Sequence, residues 1–370
     1  MSVDDIKKAM RKKKKKTKVL STKDYLSTGS TLLNLACSGR IDGGFAKGLY
    51  TLLVGDSSSG KTFLSLTCLA EATLNPEFKD YRFIFDNAEN GALMDVAKFF
   101  GQELADRLEP PAGTKEDPVY SSTVEEFYYH TDDACKDGTP FIYVLDSMDA
   151  LDTQEEEEHF QERKNAHRKG KSVSGTYGTS KAKRNSSGLR TLTNNLRKSG
   201  SILIVVSQTR DNIGFDARFN PKTRSGGRAL RFFCRLEFWS SIAERIKRRV
   251  RGSDRQVGII SKVKIVKNHI SGWEGNIEVP IYRSTGIDDI GGCVRYLVEE
   301  KHWKENSGVI NAAEFDFKGS QEDLVSKIEE EELEQDLKLL VQEVWEDIES
   351  KCTIKRKSRY GQDIREEVDE

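Results

Sequence analysis

The stretch Gly55-Asp56-Ser57-Ser58-Ser59-Gly60-Lys61-Thr62 decides how this chain folds. It fits the pattern GxxxxGK[ST], and it stands between an apolar run at residues 49–54 and a helical pattern over residues 61–73. A strand, a glycine-rich turn and a helix in that order form a phosphate cradle. Backbone N–H groups and the helix N-terminus face the phosphates, Lys61 reaches the β and γ oxygens, and Thr62 ligates Mg²⁺. The stretch therefore predicts a site for ATP with magnesium and, around it, an α/β core.

Working outward, the alternation continues. Apolar runs at residues 81–86, 141–146 and 201–208 are interleaved with helical patterns at 91–100 and 188–198. Strands alternating with helices need crossover connections, so the central sheet is expected to be mostly parallel. Ligands of such sheets gather at the carboxyl ends of the strands. Three residues there have the right chemistry. Asp146 closes an apolar strand and suits the magnesium shell, Glu89 near the tip of Phe83-Ile84-Phe85-Asp86 suits orienting an attacking water, and Gln208 suits sensing a γ-phosphate.

Farther out the pattern changes. Residues 1–18 carry nine basic side chains against two acidic ones, a basic arm that also reads as a solvated tail. Residues 152–187 combine the acidic run 155–158 with a Lys-, Gly- and Ser-rich stretch and read as a long loop, either functional or disordered. Three segments, 231–239, 262–268 and 277–282, alternate like strands of a more antiparallel sheet. Residues 321–349 read as one long acidic amphipathic helix with Ser320 as its N-cap.

Composition sets the outer limits. The 370 residues include 59 basic and 60 acidic side chains for a net charge of −1, with 36% hydrophobic and 32% charged residues and 7 prolines. This excludes global disorder and a uniformly basic coat protein. The longest apolar runs have strand length, so no membrane partner is expected, and no secretory signal is seen. Six scattered cysteines without CxxC spacing read as reduced core thiols in a cytoplasm, with no structural metal.

Beyond these readings, the chain resembles the RecA recombinase family from about residue 26 to 303, including its T-even phage branch. The resemblance rests on Leu26-Ser27-Thr28-Gly29-Ser30, the cradle itself, Asp146-Ser147, Ser207-Gln208-Thr209-Arg210, the run Asn220-Pro221-Lys222-Thr223-Arg224-Ser225-Gly226-Gly227-Arg228-Ala229-Leu230-Arg231-Phe232, and Val263-Lys264-Ile265-Val266-Lys267-Asn268. It implies an ATP-dependent recombinase that assembles head to tail into helical filaments on single-stranded DNA, pairs it with double-stranded DNA, and cooperates with a mediator or single-strand-binding protein. Residues 1–25 would then hold the basic arm and a polymerisation segment near 16–24, residues 26–303 the ATPase core, and residues 304–370 an acidic helical region.

The resemblance also implies site residues. DNA-binding loops would lie near 152–187, with Lys181, Lys183 and Arg184, and near 211–230, with Arg210, Lys222, Arg224, Gly226, Gly227 and Arg228. Gly226 and Gly227 would let the backbone approach DNA. Gln208 would link ATP to the second loop, and Lys267 would reach the neighbouring subunit's ATP. His269 stands where the family has a second lysine, and Val96 where it has an adenine-stacking aromatic. Two other readings share the cradle: a hexameric helicase, and a nucleotide-gated accessory filament with weak ATPase.

Overall fold

The structure is a computed structural model, and it describes residues 21–169, 180–212, 218, 222–224 and 226–354. The basic arm, most of the 16–24 segment, residues 170–179 of the first expected loop, much of the second, and residues 355–370 lie outside the described residues.

The described chain divides into two units, through Asp289 and from Ile290. In chain order the first contains α1 (Thr31–Ser38), β1 (Tyr50–Gly55), α2 (Lys61–Leu74), β2 (Arg82–Asp86), the short β3 (Leu108–Glu109), α3 (Val124–Asp137), β4 (Phe141–Leu145), α4 (Gln154–Arg168) and α5 (Ser180–Ser199). Then follow β5 (Ile202–Asp211), β6 (Lys222–Arg224), α6 (Arg228–Phe233), β7 (Leu236–Val250), β8 (Ser253–Asn268), β9 (Gly275–Tyr282) and β10 (Gly286–Ile287).

These strands form one ten-stranded sheet in the order β10-β9-β8-β7-β1-β5-β4-β2-β3, with β6 pairing off β5. From β7 to β3 every neighbour is parallel. From β7 outward through β8, β9 and β10 every neighbour is antiparallel. The fold is thus α/β with a mostly parallel central sheet, as the alternation predicted. The antiparallel segments extend that sheet.

The strands are buried on both faces, and the period-two alternation of their side chains explains the layering. Tyr50, Leu52 and Val54 of β1, Tyr143 and Leu145 of β4, and Leu203 and Val205 of β5 share a cluster with Val124 and Phe127 of α3 and Leu189, Leu192 and Leu196 of α5. Each such side chain, fully buried, stabilises the fold by about 1.5–3 kcal/mol.

Several expectations change. Of residues 152–187, those described at 154–168 and 180–187 are helical, and the first helix is started by Thr153 in a capping box: its hydroxyl accepts from Glu156 N and Glu156 accepts in return from Thr153 N at 2.9 Å. The acidic run 155–158 therefore occupies a first helical turn, where the macrodipole favours carboxylates. Helix α5 starts eight residues before Gly188, which is glycine because a Cβ there would meet the Tyr128 ring at 2.5 Å. Helix α6 takes residues 228–233, including the first three of the strand expected over 231–239, and that strand starts at Leu236.

The second unit is opened by α7 (Asp289–Glu299), followed by a three-stranded antiparallel sheet of β11 (Lys304–Asn306), β12 (Val309–Ala312) and β13 (Phe317–Gly319), then α8 (Gln321–Glu330) and α9 (Glu334–Cys352). Tyr296 packs on Trp345 and Trp303 on Phe315. The single long helix expected over 321–349 is broken: Glu332 takes φ +56° and Leu333 N donates to Ile328 O at 2.9 Å. In a continuous helix Glu330 and Glu334 would stand at i,i+4 and Glu329 and Glu332 at i,i+3, and the repulsion of these like charges favours a break there. Ser320 is the N-cap, its Oγ accepting from Asp323 N at 3.2 Å. Among the described residues no helix is long and apolar enough to cross a membrane.

Candidate nucleotide site and basic segments

The cradle leaves the end of β1 and enters α2, and its shape is fixed from behind. Ser59 is fully buried; its hydroxyl lies 2.8 Å from Asp56 O and 2.7 Å from Ser240 Oγ, while Ser261 Oγ donates to Ser59 O at 2.7 Å. These contacts tie the turn to β7 and β8. Gly60 has φ +94°, and a Cβ there would meet Ile281 at 2.5 Å, so the second glycine of the pattern is required.

Lys61 is buried and donates to Gly55 O at 3.0 Å and Asp56 O at 2.7 Å. Burial lowers its pKa, while the nearby carboxylates of Asp146, Glu89 and Asp56 favour its charge. Thr62 Oγ1 donates to Asp146 Oδ2 at 2.6 Å. Burial raises the Asp146 pKa despite that hydrogen bond. Among the described residues no group of three or more His, Cys, Asp or Glu side chains could hold a metal. A hydroxyl and one carboxylate nevertheless fit Mg²⁺, which keeps waters and takes phosphate oxygens for its remaining positions.

Glu89 accepts from Gln208 Nε2 at 2.8 Å and from the Ser147 hydroxyl. Gln208 is placed by its own N–H, which donates to Asp149 Oδ2 at 2.7 Å. Lys61, Thr62, Glu89, Asp146 and Gln208 thus line one cavity of about 360 Å³, together with Ser57, Ser58 and Gly60. The sequence placed these groups at the ends of four separate segments, and the sheet brings them together.

The opposite wall was not foreseen. Ile259, Ile281 and Tyr282 make its apolar part, and Arg245, Gln256 and Arg283 its polar part, with Arg245 donating to Gln256 Oε1 at 3.3 Å. These residues sit on the antiparallel strands, and only long-range pairing brings them to the cradle.

Lys267 does not line this cavity. It pairs with Glu237 near the start of β7 and donates to Arg231 O at 2.7 Å and Phe232 O at 3.1 Å, the last carbonyls of α6. Burial lowers its pKa. His269 is likewise pushed below the usual imidazole range, first by desolvation and then by Lys267 and Arg235, so it is neutral near pH 7.

The basic residues expected at DNA are mostly engaged within the chain. Lys181 donates to Leu151 O, and Arg184 Nε lies 2.8 Å from Glu125. Arg210 lies 3.6 Å from Asp149, and Lys222 lies 2.5 Å from Asp56. Arg224 lies 3.5 Å from the buried Glu237 and donates to Gly227 O at 3.0 Å. Lys183 and Arg228 are exposed. Gly226 and Gly227 have φ of +79° and +80°, and a Cβ on Gly227 would meet the Ala182 Cβ at 2.7 Å. Their glycine character thus has an intramolecular cause, close packing on α5.

The fold and the cavity define a P-loop nucleotide-binding protein of the α/β class. Comparison with known proteins narrows this. The family model of the RecA N-terminal domain matches residues 133–288. The RecA protein of Chlorobaculum parvum is 31% identical over 278 residues, 74% of this chain and 70% of that protein. That of Phytoplasma mali is 28% identical over 302 residues, 81% and 79% of the two chains. That of Clostridioides difficile is 27% identical over 274 residues, 72% and 68%. The chain belongs to the RecA family.

Proposed function

We propose that this chain is an ATP-dependent DNA recombinase. In this reading it forms head-to-tail helical filaments on single-stranded DNA and promotes pairing and strand exchange with a duplex in recombination, repair and recombination-dependent replication. The observation that carries it is the convergence of Lys61, Thr62, Asp146, Glu89 and Gln208 on one cavity, with Gln208 on the strand that runs through Arg210 toward the basic segment.

In the reaction, backbone N–H groups of the cradle and Lys61 hold the phosphates. Thr62 and Asp146 would hold Mg²⁺, which would supply positive charge to neutralise the phosphates. Glu89 orients a water for in-line attack on the γ-phosphorus and accepts its proton as the bond to the ADP oxygen breaks. Gln208, which donates to Glu89, would turn to the γ-phosphate when Glu89 engages water. Lys267 would leave the carbonyls of α6 and act on the ATP of the adjacent subunit.

The strings quoted above favour the branch of the T-even phage recombinase UvsX, and hence a bacterial host cytoplasm. A mediator or single-strand-binding protein is the further partner of this reading.

The test is ATP turnover with and without single-stranded DNA, beside negative-stain microscopy with a slowly hydrolysed ATP analogue. DNA-stimulated turnover, its loss of at least about 100-fold in Lys61→Ala, and filaments that require nucleotide are expected. Closed rings would favour a helicase, and filaments without turnover an accessory role.

A further inference from the structure

An aspartate inside a polyphosphate cradle is electrostatically out of place. Backbone N–H groups and a lysine there serve anions, and a carboxylate opposes them unless a cation neutralises it. Asp56 has such a cation. Its Oδ1 lies 2.5 Å from Lys222 Nζ and also accepts from the Thr209 hydroxyl. Burial would raise its pKa, yet the Lys222 and Thr209 hydrogen bonds outweigh that and hold the carboxyl below its ordinary range.

Three connections meet at this residue. Its backbone carbonyl accepts from Lys61, the group that must move to a bound phosphate. Thr209 follows Gln208, whose side chain is held on Glu89. Lys222 opens β6, and the antiparallel register Lys222↔Asp211, Thr223↔Arg210, Arg224↔Thr209 sets it beside β5 and over the cradle. Nucleotide binding therefore acts on the turn that carries Asp56: it draws Lys61 off the Asp56 carbonyl and so loosens the turn that holds the carboxylate against Lys222. Lys222 is 45% exposed and its bond to Asp56 is screened by water, so once the turn shifts the exchange of that carboxylate for a DNA phosphate costs little.

We propose that Asp56 is a positioning residue that withholds Lys222 from DNA until nucleotide binds, coupling the phosphate cradle directly to a DNA-contacting cation. This rests on the recombinase reading above.

The experiment measures single-stranded DNA affinity against salt concentration for the full chain, with and without a slowly hydrolysed ATP analogue. One added phosphate contact on a single strand steepens the slope of log K against log salt by about 0.7. Asp56→Asn is expected to steepen the nucleotide-free slope by that amount and to leave the analogue-bound slope unchanged. Lys222→Gln should flatten the analogue-bound slope by the same amount and leave the nucleotide-free slope unchanged. In the double variant the gain from Asp56→Asn should vanish, and Asp56→Glu should restore the parental difference between the two states.

A nucleotide-free slope that Asp56→Asn does not move, or one that it moves equally in both states, overturns the coupling alone. A parental chain that binds no DNA in either state overturns the recombinase reading and this inference with it. Urea unfolding of each variant identifies a chain that fails to fold, and Lys222→Gln, on the exposed side of the pair, then decides the question.

Discussion

Glu237 is the residue whose removal should cost the fold most for its size. It stands on β7, 1% exposed, with Arg224 Nε at 3.5 Å, Arg231 Nε at 3.1 Å and the Trp239 indole N–H donating to it at 3.0 Å. Arg224 is only 9% exposed, so Glu237→Ala leaves a nearly buried guanidinium without a counter-charge. Losing one partner of a buried pair costs about 3–5 kcal/mol. The Arg231 contact adds little, because that side chain is 60% exposed. The indole N–H contributes through the same site, so the terms do not add, and about 4 kcal/mol is the expected loss. Glu237→Gln keeps an acceptor for the indole and should lose about half as much. Because the chain has two units and Trp303 and Trp345 lie in the second, urea unfolding is best followed by Trp239 fluorescence in a background whose other three tryptophans are phenylalanine, so that the signal reports the first unit. A Glu237→Ala variant that loses less than about 1 kcal/mol would refute the reasoning.

Two further predictions follow from the same region. Gly227→Ala combines a φ of +80° with a 2.7 Å approach to Ala182 and should lose about 2 kcal/mol in urea unfolding, part of it regained by adding Ala182→Gly. Because the His269 pKa is lowered, the imidazole gains charge only as pH falls below its usual range. His269→Ala should therefore match the parental ATP turnover at about pH 7.5 and diverge from it only toward about pH 5.5. A difference already present at the higher pH would show that the neutral ring contributes.

What the sequence disclosed was governed by local chemistry. The cradle and the strands β1, β2, β4 and β5 announce themselves through apolar runs that end in Gly, Asp or Gln, so the phosphate side of the cavity was legible from residues close in sequence. The opposite wall was not. Arg245 and Gln256 lie on the outer part of the β7–β8 hairpin, where β7 no longer pairs with β1, so neither face shows the alternation that marks a half-buried strand. Helix α3 was missed for a different reason: its acidic surface hides the apolar stripe of Val124 and Phe127. The Thr123 and Glu126 capping box was the available signal, as Thr153 and Glu156 were for α4.

The near-neutral net charge conceals how the basic residues are held, and the pairs differ in what they can give up. Lys222–Asp56 has its cation 45% and its carboxylate 32% exposed, and exposed pairs are worth about 0–1 kcal/mol. A DNA phosphate can replace such a carboxylate with almost no net cost to the fold. Arg224–Glu237 and Arg184–Glu125 are different, because withdrawing the arginine strands a buried carboxylate. The candidate DNA residues thus separate by physics: Arg224 with Gly226 and Gly227 builds the base of the second segment against α5, while Lys183, Arg228, Lys222 and Arg210 are the cations available to phosphate. Alanine substitution at Lys183, Arg228 or Arg210 should therefore flatten the salt slope of DNA binding by the value of a single phosphate, and at Lys222 only with nucleotide bound, whereas Arg224→Ala should register first as reduced stability.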